Sequence, residues 1–258
     1  MAVAALRIHQ FACLRDNYGY LIHDPDAGLT AVIDTPDAAA IERALAEKGW
    51  RLDYILNTHH HWDHAGANLP LKASTGCTVV GSRNDAARIP GIDVQLGEGG
   101  IFEFGSHRAR ILETSGHTIG HICYVFDADK AAFVGDTLFS MGCGRLFEGT
   151  PAQMWASLQK LICLPDDMRV YCAHEYTESN GRFALTMEPG NSALAARVRE
   201  VGTLRAAGRP TVPSTIGVEK ATNPFLRPAS SELRATLGLP DATDADVLGE
   251  TRRRKDRF

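Results

Sequence analysis

Seven consecutive residues, Thr58-His59-His60-His61-Trp62-Asp63-His64, hold four imidazoles and a carboxylate. They follow Leu52-Asp53-Tyr54-Ile55-Leu56-Asn57, which reads as a buried strand, and precede Ala65-Gly66-Ala67-Asn68, which reads as a helix start. A strand end feeding a helix start is a common ligand position in layered α/β folds, and histidine is the commonest metal ligand among side chains. In a short extended turn His59 and His61 point the same way and can share one ion. Asp63 and His64 then face a second ion beside it. His60 alternates away from both neighbours and is read as lying behind the ligands or at the surface. Any fold for this chain has to bring further ligands to this loop.

Those ligands are available at strand ends. His117 lies in Thr114-Ser115-Gly116-His117-Thr118, Asp136 in Gly135-Asp136-Thr137, and His174 in Cys172-Ala173-His174-Glu175, each preceded by small residues that give the backbone room. Five histidines and two aspartates are too many donors for one four-coordinate ion. We divide them as His59, His61 and His117 on one ion and Asp63, His64 and His174 on the other, with the two oxygens of Asp136 bridging. Two divalent ions about 3.5–4 Å apart lower the pKa of a shared water toward about 7. Zinc is the expected metal, with iron or manganese compatible with the same donors. Singly, His117 is as readily a loop histidine and Asp136 a turn residue; their shared strand-end placement selects them. His9, His23, His107 and His121 lack such support and are assigned structural roles, and Trp62 is assigned to packing.

The remaining pattern mixes strands and helices. Residues 6–14, 18–23 and 30–34 read as antiparallel strands, 37–49 as an amphipathic helix and 66–75 as another. Residues 79–80, 101–104, 109–112, 122–126, 132–134 and 169–173 read as strands, and 151–161 as a helix opened by Pro151. After His174 the chain turns helical at 193–207, 233–237 and 245–255, around a proline-containing stretch, 209–230, without regular period. We therefore expect a catalytic domain over residues 1–174 and a smaller helical domain over 175–258. With 258 residues, 44% hydrophobic and 22% charged, the chain is ordinary for a globular protein that buries a sizeable core. A formal charge of -4 carries no footprint for nucleic acid. No apolar run reaches membrane-span length. Met1-Ala2-Val3-Ala4 opens a segment too quickly polar for a signal peptide, so the cytoplasm is the expected compartment. The six cysteines form no C-x-x-C pair and are expected reduced and mostly buried, with Cys143 near the site.

With these residues in place the chain resembles the metallo-β-lactamase superfamily, through Thr58–His64, Gly116-His117, Gly135-Asp136 and Ala173-His174. It is more closely similar to the glyoxalase II (hydroxyacylglutathione hydrolase) family. Asp16-Asn17-Tyr18-Gly19-Tyr20-Leu21, Gly135–Phe139, Gly142–Thr150, His174–Thr177, Glu188–Asn191, Lys220–Arg227 and Arg252–Phe258 carry that closer likeness along nearly the whole chain. The resemblance implies an α+β fold, a four-layer αβ/βα metallo-β-lactamase sandwich with a small helical C-terminal domain. Separately, a monomer is expected; the resemblance implies hydrolysis of S-D-lactoylglutathione to glutathione and D-lactate. Its glycine-carboxylate end would meet Arg252 and Lys255, with Arg145 and Tyr176 lining the site. Position 145 is Arg where the family often has Lys, which keeps the charge and can grip a carboxylate bidentately. Position 147 is Phe where the family often has Tyr, which removes a hydrogen-bond donor. The basic run Arg252–Arg257 would on composition be a solvated tail; the resemblance assigns Arg252 and Lys255 a substrate role but not Arg253, Arg254 or Arg257.

In the mechanism this implies, hydroxide attacks the thioester carbonyl, and Asp63 both ligates and orients the nucleophile. A competing oxidoreductase reading on the same scaffold is a persulfide dioxygenase with one iron held by His59, His61 or His117 and Asp136. A β-lactamase, a nuclease and a non-catalytic metal binder are weaker alternatives.

Overall fold

A computed structural model describes residues 4–258; the reading of Met1-Ala2-Val3 lies outside the described residues. By internal packing the chain divides into two compact units. One runs to Glu113 and takes in Ile119–Gly135; the other comprises Thr114–Thr118 and Asp136–Phe258.

The first unit opens with a meander of β1 (Arg7–Cys13), β2 (Asn17–Asp24) and β3 (Leu29–Ile33), paired antiparallel from Cys13↔Asn17 to Arg7↔His23 and onward. Helix α1 (Ala38–Lys48) starts where the Asp37 carboxylate accepts the amides of Ala39 and Ala40, and stops at Gly49, left-handed at φ 66°. It buries Ile41, Ala44 and Leu45 against Leu21, Val32, Ile55, Leu71 and Val79. Each such aliphatic side chain contributes about 1.5–3 kcal/mol by leaving water. Strand β4 (Tyr54–Leu56) then runs parallel to β3. After α2 (Trp62–Ala65) and α3 (Asn68–Thr75) come β5 (Thr78–Ser82) and β6 (Val94–Leu96), both parallel, completing a six-stranded mixed sheet in chain order.

A second meander, β7 (Ile101–Phe104), β8 (His107–Glu113), β9 (Ile122–Phe126) and β10 (Ala131–Gly135), is antiparallel throughout. It packs against the mixed sheet. The Tyr54 ring meets Phe102 edge-on at 5.3 Å, Tyr20 meets Phe133 at 5.6 Å, and the Tyr124 hydroxyl donates to the Asn57 carbonyl at 2.9 Å. Strands β9 and β10 are buried at every position, which is why they read as apolar runs rather than alternations.

The helix expected over 66–75 starts two residues later, as α3, and a separate short helix, α2, precedes it. The chain breaks at Gly66-Ala67 because Asn68 turns inward, accepting from Thr35 Oγ1 at 2.6 Å and donating to Asn57 Oδ1 at 2.7 Å. Pro70 sits in the first turn of α3, where an amide would lack a helical partner anyway.

The second unit carries the hairpin β11 (Leu138–Phe139) and β12 (Gly142–Cys143), then α4 (Pro151–Ile162) behind a Thr150/Gln153 capping box, and β13 (Arg169–Cys172). Helices α5 (Thr177–Met187) and α6 (Ser192–Ala206) follow; Met141, Ala184, Leu194 and Val201 form a small core. Strand β14 (Ser214–Thr215) pairs antiparallel with β13, and α7 (Ile216–Thr222), α8 (Ser231–Leu237) and α9 (Asp244–Asp256) end the chain.

Two helices here have weak sequence signals. Helix α5 contains Thr, Ser, Asn and Gly, all poor helix formers. It is held by packing: a Cβ on Gly181 would stand 2.9 Å from Val198 and 3.0 Å from Met141. Helix α7 lies inside the stretch read as irregular. Its prolines, Pro213 and Pro224, flank it, and Thr215 caps it by accepting from the Val218 amide. The six cysteines are all free, Cys163 exposed and the others buried. Among the described residues no helix is long and apolar enough to cross a membrane.

Candidate metal centre

In the first unit the histidine loop leaves β4 and is tied down by Asp34, which ends β3 at φ 57°. Asp34 Oδ1 accepts the Thr58 amide at 2.7 Å, and its Oδ2 accepts the Thr58 hydroxyl at 2.8 Å. The same Oδ2 lies 2.8 Å from His64 Nδ1. A carboxylate accepts, so Nδ1 carries the proton and His64 Nε2 keeps its lone pair for a metal. That Nε2 lies 3.5 Å from Asp63 Oδ2. His59 Nε2 and His61 Nδ1 face one another at 3.0 Å, with Thr58 Oγ1 against His59 Nδ1. Two metal–nitrogen bonds of 2.0–2.1 Å at a tetrahedral angle put their nitrogens about 3.3 Å apart. Each pair is thus spaced as two ligands of one ion.

His60 turns the other way, onto the fully buried Asp85 at 2.9 Å, which Arg88 also engages. This agrees with its alternation away from the loop's ligands. His121 has a role the sequence did not reveal: its ring stacks on His59 at 4.9 Å. Gly135, at φ 49°, is the residue that fits there, since a Cβ would stand 2.5 Å from Thr58 Oγ1 and 2.7 Å from His121 Nε2.

In the second unit Asp136 stands between two histidines. Its Oδ2 lies 3.4 Å from His117 Nε2 and its Oδ1 3.4 Å from His174 Nε2. His117 Nδ1 donates to the Arg145 carbonyl at 2.9 Å, so in the neutral ring Nε2 is the nitrogen with the lone pair. Gly144 makes room for this: a Cβ there would stand 2.0 Å from the Asp136 carbonyl oxygen and 3.0 Å from His117 Nδ1. His174 is stacked flat on Tyr176, and Phe147 lies edge-on to His117 at 5.2 Å. His59, His64, His117, Asp136 and His174 are all buried. Within the first unit His59, His61, Asp63 and His64 thus stand in ligand-spaced pairs, and within the second His117 and His174 flank Asp136.

The four expected substrate residues also belong to the second unit. Arg145 is mostly exposed, 3.5 Å from Asp256. Arg252, on α9, is buried; it donates to the Cys143 carbonyl at 2.8 Å and to Asp256, with its guanidinium over the Phe225 ring. Lys255, one turn on, donates to the Ser179 hydroxyl at 3.1 Å and lies between the rings of Phe183 and Phe258. Burial first, then the charges of Arg252, Arg182 and Arg145, pull its pKa down to about 8, with Asp256 opposing. The basic run is a helix rather than a tail, with Arg253 and Arg254 paired to Glu250. The Cys143 thiol is pushed up to about 11 by burial, Arg252 opposing, and stays protonated at neutral pH.

The profile of the metallo-beta-lactamase superfamily matches residues 16–174, and that of the hydroxyacylglutathione hydrolase C-terminus matches residues 175–258. The hydroxyacylglutathione hydrolase of Maricaulis maris (strain MCS10) is 55% identical over 256 residues, 99% of this chain and 100% of that protein. The hydroxyacylglutathione hydrolase of Methylococcus capsulatus (strain Bath) is 56% identical over 253 residues, 98% of this chain and 99% of that protein. Among solved structures, ETHE1 from Myxococcus xanthus superposes with a TM-score of 0.67 at 27% identity, covering 96% of each chain. The BLEG-1 B3 metallo-beta-lactamase has a TM-score of 0.65 at 21% identity, covering 86% of this chain and 100% of its own, a likeness of fold alone.

Proposed function

Since the chain belongs to the hydroxyacylglutathione hydrolase family of the metallo-beta-lactamase superfamily, we infer that it hydrolyses S-D-lactoylglutathione and related S-(2-hydroxyacyl)glutathiones to glutathione and a 2-hydroxy acid. The fold is the α+β metallo-beta-lactamase fold with a helical C-terminal region, as the motifs implied. The family and the His/Asp groups imply divalent metal ions.

Our reading places His59, His61 and His117 on one ion and Asp63, His64 and His174 on a second, with Asp136 between them. The observation that carries it is Asp136 itself, whose two oxygens each lie 3.4 Å from a different histidine nitrogen. When bound, such a pair of ions lowers the pKa of a shared water toward about 7 and polarises a carbonyl. We take zinc as the resident metal.

The chain's own residues supply orientation and charge. Asp63, which accepts from Asn17 Nδ2 at 3.2 Å, orients the nucleophile. Arg252 and Lys255 take the glycine carboxylate of glutathione, and Arg145 and Tyr176 line the site. The departing thiol has a pKa near 8.5, so its thiolate leaves without a strong general acid. None of the motifs offers such an acid. Residues 1–174 would then form the catalytic domain and 175–258 the substrate-binding one, in a cytoplasmic monomer.

Purified protein incubated with S-D-lactoylglutathione, with thioester loss and metal per chain measured together, tests this. The wild type should consume the thioester and carry two metals. Asp136→Ala should lose both metal and activity; full activity at normal metal content would sink the assignment. Oxygen uptake with glutathione persulfide would instead favour the one-iron dioxygenase.

A further inference from the structure

The segment joining Asp136 to Arg145 is a tight hairpin whose turn is held from outside. Met141 sits at φ 55°, a conformation that side-chain-bearing residues rarely adopt and that persists where surroundings fix it. Each residue of the turn gives one backbone group to a buried side chain. The Asn223 amide donates to the carbonyls of Phe139 at 3.1 Å and Gly142 at 2.9 Å. The Met141 amide donates to Glu219 Oε2 at 2.8 Å, and Asn180 donates to the Ser140 carbonyl at 3.1 Å. Glu219 and Asn223 are fully buried and joined to each other at 2.9 Å, with Ser214 Oγ on the outer oxygen of Glu219. Both come from α7 and its end, within the Lys220–Arg227 segment or one residue before it, far along the chain from any expected ligand.

What this hairpin carries is the site. The Phe139 ring lies edge-on to Tyr176 at 5.4 Å and to His174 at 5.9 Å. The Cys143 carbonyl, at the hairpin's other end, is the oxygen that holds Arg252. Two residues on, the Arg145 carbonyl fixes the tautomer of His117. A buried carboxylate and amide that bond mainly to backbone are ordinarily read as structural. Here the backbone they bond to is the one that sets the positions of Tyr176, Arg252 and Arg145.

We propose that Glu219 and Asn223 are positioning residues of the thioester site, acting through the Leu138–Cys143 hairpin on the groups that bind glutathione. This rests on the hydrolase reading above. Losing the clamp should weaken substrate binding more than it slows the chemical step, because the described bonds of Glu219 and Asn223 go to the hairpin backbone and to each other rather than to an expected metal ligand.

The test uses two near-isosteric variants, Asn223→Asp and Glu219→Gln, beside a comparator, Asn191→Ala. Asn191 bonds the same helix through the Ala221 carbonyl at 3.0 Å but makes no contact with the hairpin among the described bonds. Steady-state kinetics with S-D-lactoylglutathione, metal content, melting temperature and hydrogen exchange of the 138–145 peptide are read for each. Both clamp variants should raise KM about tenfold, leave kcat within about threefold, keep metal content and speed exchange at 138–145. Asn191→Ala should lower the melting temperature with KM unchanged. Should Asn223→Asp fail to fold, Ser214→Ala, which removes only the outer bond to Glu219, should give a smaller KM increase in the same direction. Clamp variants that melt earlier with unchanged KM would overturn the proposal. If the wild type does not hydrolyse the thioester, the functional reading fails by itself, and unchanged exchange at 138–145 would then overturn the clamp separately.

Discussion

The imidazole of His174 lies parallel to the phenol of Tyr176, 4.7 Å between ring centroids and 1° between planes. Phe139 closes the stack edge-on to both rings. Such pairs contribute about 0.5–1.5 kcal/mol beyond their burial. Tyr176 therefore braces an expected metal ligand with its face, which leaves its hydroxyl for the substrate role proposed above. Tyr176→Phe keeps the stack and should change kcat by less than about twofold; Tyr176→Ala removes it and should cost about two- to tenfold in kcat. Equal losses in kcat for both variants, measured by steady-state kinetics at fixed metal content, would remove the stacking role.

Asp34 is the group on which the histidine loop hangs. It accepts from the Thr58 amide, the Thr58 hydroxyl and His64 Nδ1, so it fixes both the loop path and the tautomer of a ligand. Carboxylates in this position behind a metal-bound histidine are worth about 10–100-fold in metal affinity. Asp34→Asn should lower affinity for one ion by that order, seen as loss of one of two metals in a competitive chelator titration. Retention of both metals at wild-type affinity would show that the backbone alone holds His64.

The parts of this site that were legible in the sequence are those whose chemistry is local. The expected ligand types, their strand-end placement and the turning away of His60 all follow from residues within a few positions of one another. Asp34 was not legible, because an acid ending a strand is commonplace and its role exists only once β3 and β4 lie side by side. His121 read as structural for the same reason; only the fold stacks it on His59. The strands of the first unit could be placed because turn residues punctuate them. Helix α5 could not, since its sequence disfavours helix and only packing of Gly181 against Met141 and Val198 settles it. Asn223 and Glu219 sit in a segment recognisable by family likeness, yet their partners are some 80 residues away along the chain, at separations of 84, 81 and 78.

If Lys255 binds the glutathione carboxylate as proposed, substrate binding takes on a pH dependence. Its pKa of about 8 lies below the ordinary lysine value of 10.5, chiefly through burial and then through Arg252, Arg182 and Arg145. Above pH 8 the side chain loses its charge, and with it the hold on a carboxylate proposed above. KM for the glutathione thioester should therefore rise from about pH 8 upward with kcat little changed, and Lys255→Arg should flatten that rise. Binding at pH 8 should take up protons, measurable by calorimetry in buffers of different ionisation heat. The stability effect has the opposite sense. The folded state binds the proton less tightly than the unfolded chain, so the charged lysine costs stability below pH 8, and that cost fades as pH rises from 8 to 10.5. Lys255→Met should accordingly raise the melting temperature at pH 7 and do less at pH 10.5. A KM flat across pH 7–10 in the wild type would sink the role given to this lysine.

Phe147 marks where this chain departs from its family, and its surroundings say what the departure does. The ring is 62% exposed, so it is not there to fill the core. It stands edge-on to His117 at 5.2 Å and 66°, so it covers one side of an expected ligand. Phe147→Tyr should restore a donor without disturbing that contact, because the hydroxyl projects from a ring already in solvent. A net hydrogen bond contributes about 0.5–1.5 kcal/mol, so KM for S-D-lactoylglutathione should fall about two- to tenfold at constant kcat and melting temperature. Phe147→Ala tests the other half: it uncovers His117 and should lower kcat, leaving metal content intact. If both substitutions leave kcat and KM where they were, residue 147 touches neither the glutathione peptide nor the ligand it flanks. The tyrosine's absence would then be neutral, with affinity resting on Arg145, Tyr176, Arg252 and Lys255 alone.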